Sequence, residues 1–561
     1  ARGGGEHPPA NPAEILETHA KRLIVAPIAR QTASLAVHSP EEKNPVTASG
    51  YVTDVAYVPG FYPQMSPVAM RYVAALNGVI PPTTADGFRY LELGCGLGRC
   101  LTTLAAAHPR GEFVGVDVNP DHTAAVARDI DAGDLRNARV LTADFGHLPA
   151  DLGTFDFLAL HGVYSWVAPS VREEILAVAR ERLAPGGLLL VSYNAMPGWA
   201  HLQPIRGILR QYAALRQGDS TQRVRDAVTY LVYMRQNRAK YFEDNPVAAA
   251  YVDALLRQDP RYLVHEYMNE HWTSFYFAEV AAAFGQKDLS FTGSLPVYTN
   301  FWDLCVRPEF QELFRTTTNR LVTEAHKDFC ANTAFRWDVY GKSPRLMRSV
   351  NERLSAVDDL HYRVAKTDVA LPYVANLGVV TSTIEGPLYQ SLLNVLRGPS
   401  RRLSEIVAAA ELAGTSPADV VRAVDAGVAM GLFDVSAARI GPPPAPPTDA
   451  STLSIPHPFN RAVLESDALG GRPLAFASTL AGTGHMVGDL EAAMLQELVA
   501  RGRDGLAARV DGRMEAGGRT LQQNGQPVND AAERARFIDE ACRTFLSSRL
   551  PELVRLGIVN V

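Results

Sequence analysis

The 561-residue chain is 47% hydrophobic and 20% charged, enough apolar material for several buried cores at ordinary domain size. Its formal net charge of −6 and pI near 6.2 exclude bulk attraction to nucleic acid or to an anionic membrane. Five cysteines without a CxxC pair exclude a disulfide framework and a zinc-ligand pattern, so no metal is expected, and they suit a reducing compartment.

Residues 1–50, opening "ARGGGEHPPANPAE", read as a lead-in without a core of its own. No run of about 18 apolar residues occurs and no signal-peptide core opens the chain, so no membrane partner and a cytoplasmic location are expected. The next segment, "YVTDVAYVPGFYPQMSP" (51–67), is dense in Tyr, Phe and Pro. It reads either as a lid, with Tyr57, Phe61 and Tyr62 closing a pocket against water, or as an apolar strap on a sheet edge.

From about residue 86 to 195 short apolar runs alternate with helical patterns. Strands are expected at 89–94, 112–117, 138–143, 155–161 and 187–193, with helices starting near Arg99, Pro120 and Ser170. Near-continuous apolar strands joined by crossover helices make a parallel sheet covered on both faces. The fold class is therefore α/β, a doubly wound Rossmann-like sheet whose core occupies 51–200.

Residues 201–345 form a helical middle region. Two later runs, "LSFTGSL" (289–295) and "AFRWDVYG" (334–341), are most economically the last strands of the same sheet, which makes the helices an insertion. Three amphipathic helices and a short strand in 375–440 suggest a winged-helix-like unit, with a Ser-Pro helix start at 416–417. "GPPPAPPTD" opens a stiff linker over 441–454. The remainder, 455–561, is mainly helical, with disorder expected in "EAGGRTLQQNGQPVNDA".

The chemistry centres on "YLELGCGLGRC" (90–100). Gly94, Gly96 and Gly98 form GxGxG, but Arg99 stands where a dinucleotide fingerprint would need its last glycine. The spacing still demands a tight strand-to-helix turn with backbone close to a ligand. Glu92 precedes the turn, where a carboxylate can reach a cationic amino-acid moiety. Asp117 ends the second strand, placed to accept from both ribose hydroxyls. Asp144 ends the third, suited to an exocyclic adenine amine, with Phe145 beside the ring. Each carboxylate alone would be a helix cap or a surface charge. All of them together lie at carboxyl ends of neighbouring strands, where open α/β sheets bind ligands.

This set resembles the class I S-adenosylmethionine-dependent methyltransferases over residues 86–195. The resemblance implies S-adenosyl-L-methionine as cofactor and S-adenosyl-L-homocysteine as product. The implied binding set is Glu92, Gly94, Gly96, Gly98, Asp117, Val118, Asp144, Phe145, His161 and Tyr62. Transfer then needs an acceptor held in line with the methyl in a water-poor site. The fourth strand ends in "LHGVYSWV" (160–167), the strand end that faces the methyl in this fold. His161, Tyr164 and Trp166 are accordingly the catalytic candidates for lining the acceptor channel, where aromatic faces tolerate a cationic amine. The alternative is that Tyr164 and Trp166 pack under a helix and His161 caps the strand. A lysine acceptor must lose a proton, at about 4–5 kcal/mol at pH 7. A hydroxyl acceptor could instead use His161 as base.

The order of motifs narrows the resemblance. The aromatic lead-in is followed by "LELGCG", "GVYSWV", "YNAMPGW", "YLVHEYMNEHWTSFYF" (262–277), "DFCANTAFRWDVY" (328–340) and the tail "GTGHMVGDLEAAMLQELVARGRD". It is similar to bacterial methyltransferases that carry a methyltransferase regulatory domain, among them rickettsial protein lysine methyltransferases. That implies lysine N-methylation of a protein or peptide, dimerisation and accessory domains for the substrate. The lead-in matches loosely, and "FRWDVYG" departs from the group's leucine-rich strand. His265 and Glu266, on a helix beside aromatics, read either as groups that reach the acceptor site or, preferably, as a buried structural pair. Arg397, Arg401 and Arg402 are too few for DNA binding through counterion release. Two other functions stay open: a small-molecule N-, O- or C-methyltransferase, and a non-catalytic sensor of the cofactor.

Overall fold

The computed structural model of the chain describes Val52, Asp54, Val55 and residues 60–561, apart from Thr367, 445–452, 468–471, 524–525 and 529. The expected lead-in, Tyr57 and most of the proline-rich linker lie outside the described residues. Among those described, no helix is long and apolar enough to cross a membrane.

The chain divides into two compact units. The larger is built on a seven-stranded sheet of order β3-β2-β1-β4-β5-β7-β6. Its strands are β1 Phe88–Leu93, β2 Gly111–Asp117, β3 Ala138–Thr142, β4 Phe155–Leu160, β5 Leu183–Asn194, β6 Leu289–Leu295 and β7 Phe335–Lys342. Strands β1 to β5 pair in parallel, and β6 pairs antiparallel with β7. The two late runs thus complete the sheet. Strand β5 starts four residues before the expected 187, because a register shift opposite Phe155 and Phe157 lets "LAPGG" stay extended.

Helix α1 (Pro67–Leu76) is capped by Ser66, whose side chain accepts from Ala69 N. Helices α2 (Arg99–Ala107), α3 (Pro120–Ala132) and α4 (Pro169–Arg182) are the crossovers of the parallel strands. Asn119 caps α3 and Pro120 is its first residue, both preorganised for a helix start. Helices α5 (Phe277–Gly285) and α6 (Arg320–Ala331) accompany β6 and β7.

A second core lies C-terminal to the sheet. The antiparallel trio β11 (Arg401–Arg402), β8 (His361–Val364) and β12 (Phe433–Ser436) packs with helices at 387–396, 403–407 and 417–429. The three helices were expected. The central strand was not, because "HYRV" lies upstream of 375 and is too short to announce itself. The hairpin of β9 (Tyr373–Asn376) and β10 (Thr381–Ile384) stands beside this unit. Arg402 pairs with Asp358, and Arg397 donates to the Val369 carbonyl.

The last hundred residues share the core of the sheet. Phe476, Leu495 and Leu553 are buried in one cluster with Tyr90, Phe113 and Phe157. The hairpin of β13 (Leu474–Ser478) and β14 (Thr483–Val487) lies on α2. A Cβ at Gly484 would stand 2.7 Å from both the Phe61 ring and Thr103 Cγ2, so the tail's "GTG" is small because neighbouring side chains pack directly onto its backbone. Within the segment expected to be disordered, Gln522–Gln523 pairs with Gln526–Pro527.

The smaller unit includes Ser165–Pro169 and Asn194–Ser274, with helices at 203–214, 220–236, 240–244, 246–255 and 260–267. Aspartate caps at 219 and 259 and prolines at the first turns start them. Tyr212 and Tyr230 stack between the first two, their rings 4.2 Å apart.

Candidate active site

The glycine turn connects β1 to α2 with three residues in the left-handed region, at φ +69, +53 and +67 for Gly94, Gly96 and Gly98. A Cβ at Gly94 would strike Val163 at 2.5 Å and one at Gly98 would strike Val126 at 2.6 Å. At Gly96 nothing lies within 4 Å. That position therefore needs glycine for its backbone, and it leaves a cradle that a side chain would fill.

Asp117, at the end of β2, organises the turn. Its Oδ2 accepts from Gly96 N at 2.8 Å, and its Oδ1 accepts from Asn119 N at 2.9 Å and pairs with His122 Nδ1 at 3.3 Å. A carboxylate has about four acceptor sites. Two are taken by backbone N–H groups and a third faces His122, which leaves acceptor capacity for the ribose. Glu92 is buried, and its Oε2 has no hydrogen-bond partner. Burial, with the Asp117 charge second, pushes its carboxyl up to about 8.

Val118 is about half exposed just beyond Asp117, an apolar surface of the kind that a nucleoside covers. Asp144 is exposed and pairs with His147 at 2.6 Å, and Phe145 is half-buried beside it. S-adenosylmethionine fits these residues. Glu92 would face its ammonium, Asp117 its ribose, Gly96 its carboxyl end, and Val118, Asp144 and Phe145 its base. The orphaned Glu92 oxygen and the cradle over Gly96 are the observations that carry the fit.

His161 leaves the end of β4 into an aromatic box. Its ring stacks on Trp337, centroids 4.2 Å apart and planes within 12°, and Tyr62 lies tilted at 3.9 Å with Phe335 edge-on at 6.0 Å. Ser192 Oγ receives Gly162 N–H at 3.2 Å and meets His161 Nδ1 at 2.7 Å. A hydroxyl that already accepts from the backbone is free to donate to Nδ1, which suits a neutral imidazole. Burial holds His161 down to about 3. Tyr62 is anchored from α2, its amide reaching Cys100 Sγ at 3.3 Å. Of the two readings of the aromatic lead-in, Phe61 fits the strap, buried under Gly484, while Tyr62 faces the box.

The other two catalytic candidates are placed elsewhere. Tyr164 is buried between Phe275 and Phe284, at 5.3 and 5.6 Å, and Phe284 stacks on Tyr340 of β7. Side chains alternate across a strand, so Tyr340 and Trp337 serve opposite faces of the sheet. Tyr164 packs on the face away from His161. Trp166 belongs to the smaller unit and is buried there. His265 Nε2 meets the Val55 carbonyl at 2.8 Å, and Glu266 accepts from Trp272 at 3.3 Å and Asn194 at 3.4 Å, as expected of structural side chains. Sequence reasoning missed Ser192, Phe335 and Trp337 as site residues. The one signal for Phe335 and Trp337 was "FRWDV", which marked a strand but not the face it turns to the site, and Ser192 had none beyond its strand.

A family model described as a methyltransferase domain matches residues 91–187, and one described as a predicted methyltransferase regulatory domain matches 259–342. The second match includes β6 and β7, so the segment so named completes the catalytic sheet and supplies Phe335 and Trp337. An uncharacterized protein of Synechocystis is 27% identical over 511 residues, 91% of this chain and 99% of its own. An uncharacterized protein of Rickettsia prowazekii is 26% identical over 310 residues, 54% of this chain and 53% of its own. The structure of PKMT2 from Rickettsia typhi in complex with AdoHcy superposes with a TM-score of 0.66 at 19% identity, covering 90% of this chain and 99% of that one. That likeness is one of fold.

Proposed function

Because the chain is an S-adenosylmethionine-dependent methyltransferase that carries a methyltransferase regulatory domain, we propose that it methylates an amine nitrogen, that of lysine in a protein or peptide. The cofactor, when bound, supplies an electrophilic methyl on sulfur, which leaves with the S–C bond pair while the amine lone pair forms the new N–C bond in line. The chain's residues hold the acceptor, exclude water and let the amine proton depart to solvent.

The observation that carries the reading is the uncharged aromatic box at His161. Burial keeps the imidazole neutral, and an imidazole with a pKa near 3 is a poor general base at neutral pH. A hydroxyl acceptor would need such a base. An amine needs only to lose its own proton, about 4–5 kcal/mol for lysine at pH 7, and desolvation between aromatic rings lowers that cost. Trp337, Tyr62 and Phe335 also tolerate a partly methylated, cationic amine.

The test incubates the protein with methyl-labelled S-adenosylmethionine and a bacterial lysate, then separates macromolecules from metabolites. Label on lysine side chains, located by peptide mass spectrometry, is the expected result. Label confined to the metabolite pool would replace this reading with that of a small-molecule methyltransferase.

A further inference from the structure

Helix α6 turns its charges inward. Glu324, Lys327 and Asp328 are buried, while Leu321, Val322 and Phe329 are exposed. An amphipathic helix normally does the reverse, so something inside needs those charges. They meet Arg336 of β7, whose guanidinium donates to Asp338 Oδ1 and Oδ2 at 3.1 and 3.0 Å, to Asp328 Oδ1 at 2.7 Å and to Glu324 Oε2 at 2.8 Å. Lys327 Nζ is bonded to Glu324 at 2.6 Å and to the Thr299 carbonyl. Tyr193 and Ser294 add neutral donors to Asp338.

This buried cluster contains three carboxylates, Glu324, Asp328 and Asp338, against two cations, Lys327 and Arg336. Arg320, the next cation of the helix, bonds to Asn77 Oδ1 and the Thr292 carbonyl and adds its charge opposite Glu324 and Asp338, so the charges balance. One acceptor is left over, since Asp328 is 3% exposed and its Oδ2 has no hydrogen-bond partner, and an unpaired buried carboxylate oxygen is costly. Asp328 lines a cavity of about 590 Å³ together with Lys327, Arg336, Tyr298, Phe335 and Trp337, and both cations are already bonded to carboxylates of the cluster. Burial pushes its carboxyl up to about 6, against the pull of Arg336 and Lys327. Trp337, one wall of the cavity, is the ring that stacks on His161.

We propose that this cavity takes a protonated primary alkylamine, the lysine-type side chain, with Asp328 Oδ2 as its counter-ion and the rings of Trp337, Phe335 and Tyr298 around it. The assignment rests on the amine reading above and gives the charged amine a docking place one indole away from the His161 box, where it reacts once its proton is lost. Asp328 is a positioning residue that selects a charged amine over an apolar side chain of the same length.

The test titrates Nα-acetyl-lysine methylamide, and separately its uncharged norleucine counterpart, into the full-length protein with NMR detection. The lysine compound should bind and the norleucine compound should not. Asp328→Asn, which keeps a carbonyl for Arg336, should weaken the lysine compound at least tenfold and leave S-adenosylhomocysteine affinity unchanged. Ala331→Leu, which narrows the cavity without touching the charge cluster, should weaken it too and serves if Asp328→Asn does not fold. Equal binding of both compounds, or wild-type affinity in the variant that folds, overturns the site. Asp328-dependent binding without methyl transfer to any lysine would remove the proposed reaction and leave the amine site standing.

Discussion

The two sides of His161 are built in different ways. Toward β1, β2 and β3, the groups suited to the cofactor lie at neighbouring strand ends, Glu92 to Val118 with Asp144 and Phe145, and Asp117 holds the backbone of Gly96 and Asn119 among them. Toward β6 and β7, the proposed acceptor side is made of Tyr62, His161, Ser192, Phe335 and Trp337, side chains brought together from elements far apart in the chain. The cofactor side depends on a local turn, and the acceptor side depends on the packing of the whole larger unit. A change on the acceptor side should therefore alter what is methylated, or how fast, without loosening the cofactor.

The strongest way to break this division is Asp117→Ala. It removes the bond that fixes Gly96 of the turn and those to Asn119 and His122, together with the proposed acceptor for the ribose. At 1.5–3 kcal/mol for each bond to a charged group, cofactor affinity should fall by about 100-fold or more, as read by calorimetry with S-adenosylhomocysteine. An unchanged affinity would mean that the cofactor does not sit at this turn.

From the other side, Trp337→Phe should leave cofactor affinity within twofold and lower kcat/KM for a methyl acceptor about tenfold, or ~1.4 kcal/mol in the barrier. Phenylalanine keeps an aromatic partner for His161 but gives up part of the stacked surface and reshapes the cavity wall. A parallel loss of cofactor affinity would show that the two sides are one site energetically.

The same contrast governs what the sequence reveals. Glu92, the glycines and Asp117 are legible because a short motif and its strand ends impose their geometry locally. The sheet is legible too, including β6 and β7, since apolar strands between crossover helices leave few topologies. The acceptor side resists reading because the face of a strand depends on its register in the finished sheet. "FRWDVYG" contains both Trp337, which faces His161, and Tyr340, which backs Tyr164, and nothing local tells them apart. The inward charges of α6 are hidden for a related reason. By periodicity its exposed Leu321, Val322 and Phe329 look like the core face.

The finest test of the cofactor side is its pH dependence. In the protein without ligand, burial and Asp117 raise the Glu92 carboxyl to about 8, above its ordinary value near 4.3. The folded state thus holds a proton that the unfolded chain has released. Glu92 stabilises the ligand-free fold fully below that ordinary value, and the contribution is lost as pH rises to about 8. The cofactor's ammonium acts in the opposite direction, since it binds the ionised carboxylate. S-Adenosylhomocysteine affinity should therefore increase about fivefold from pH 6.5 to 7.5, net of the deprotonation of an α-amino group near 7.7–8.0. Binding should also release a proton from the protein, measurable by calorimetry in buffers of different ionisation enthalpy. Glu92→Gln should flatten the rise, while Asp328→Asn, on the acceptor side, should leave it in place. A rise that survives Glu92→Gln would assign the proton to another group and leave the buried carboxylate without its ammonium.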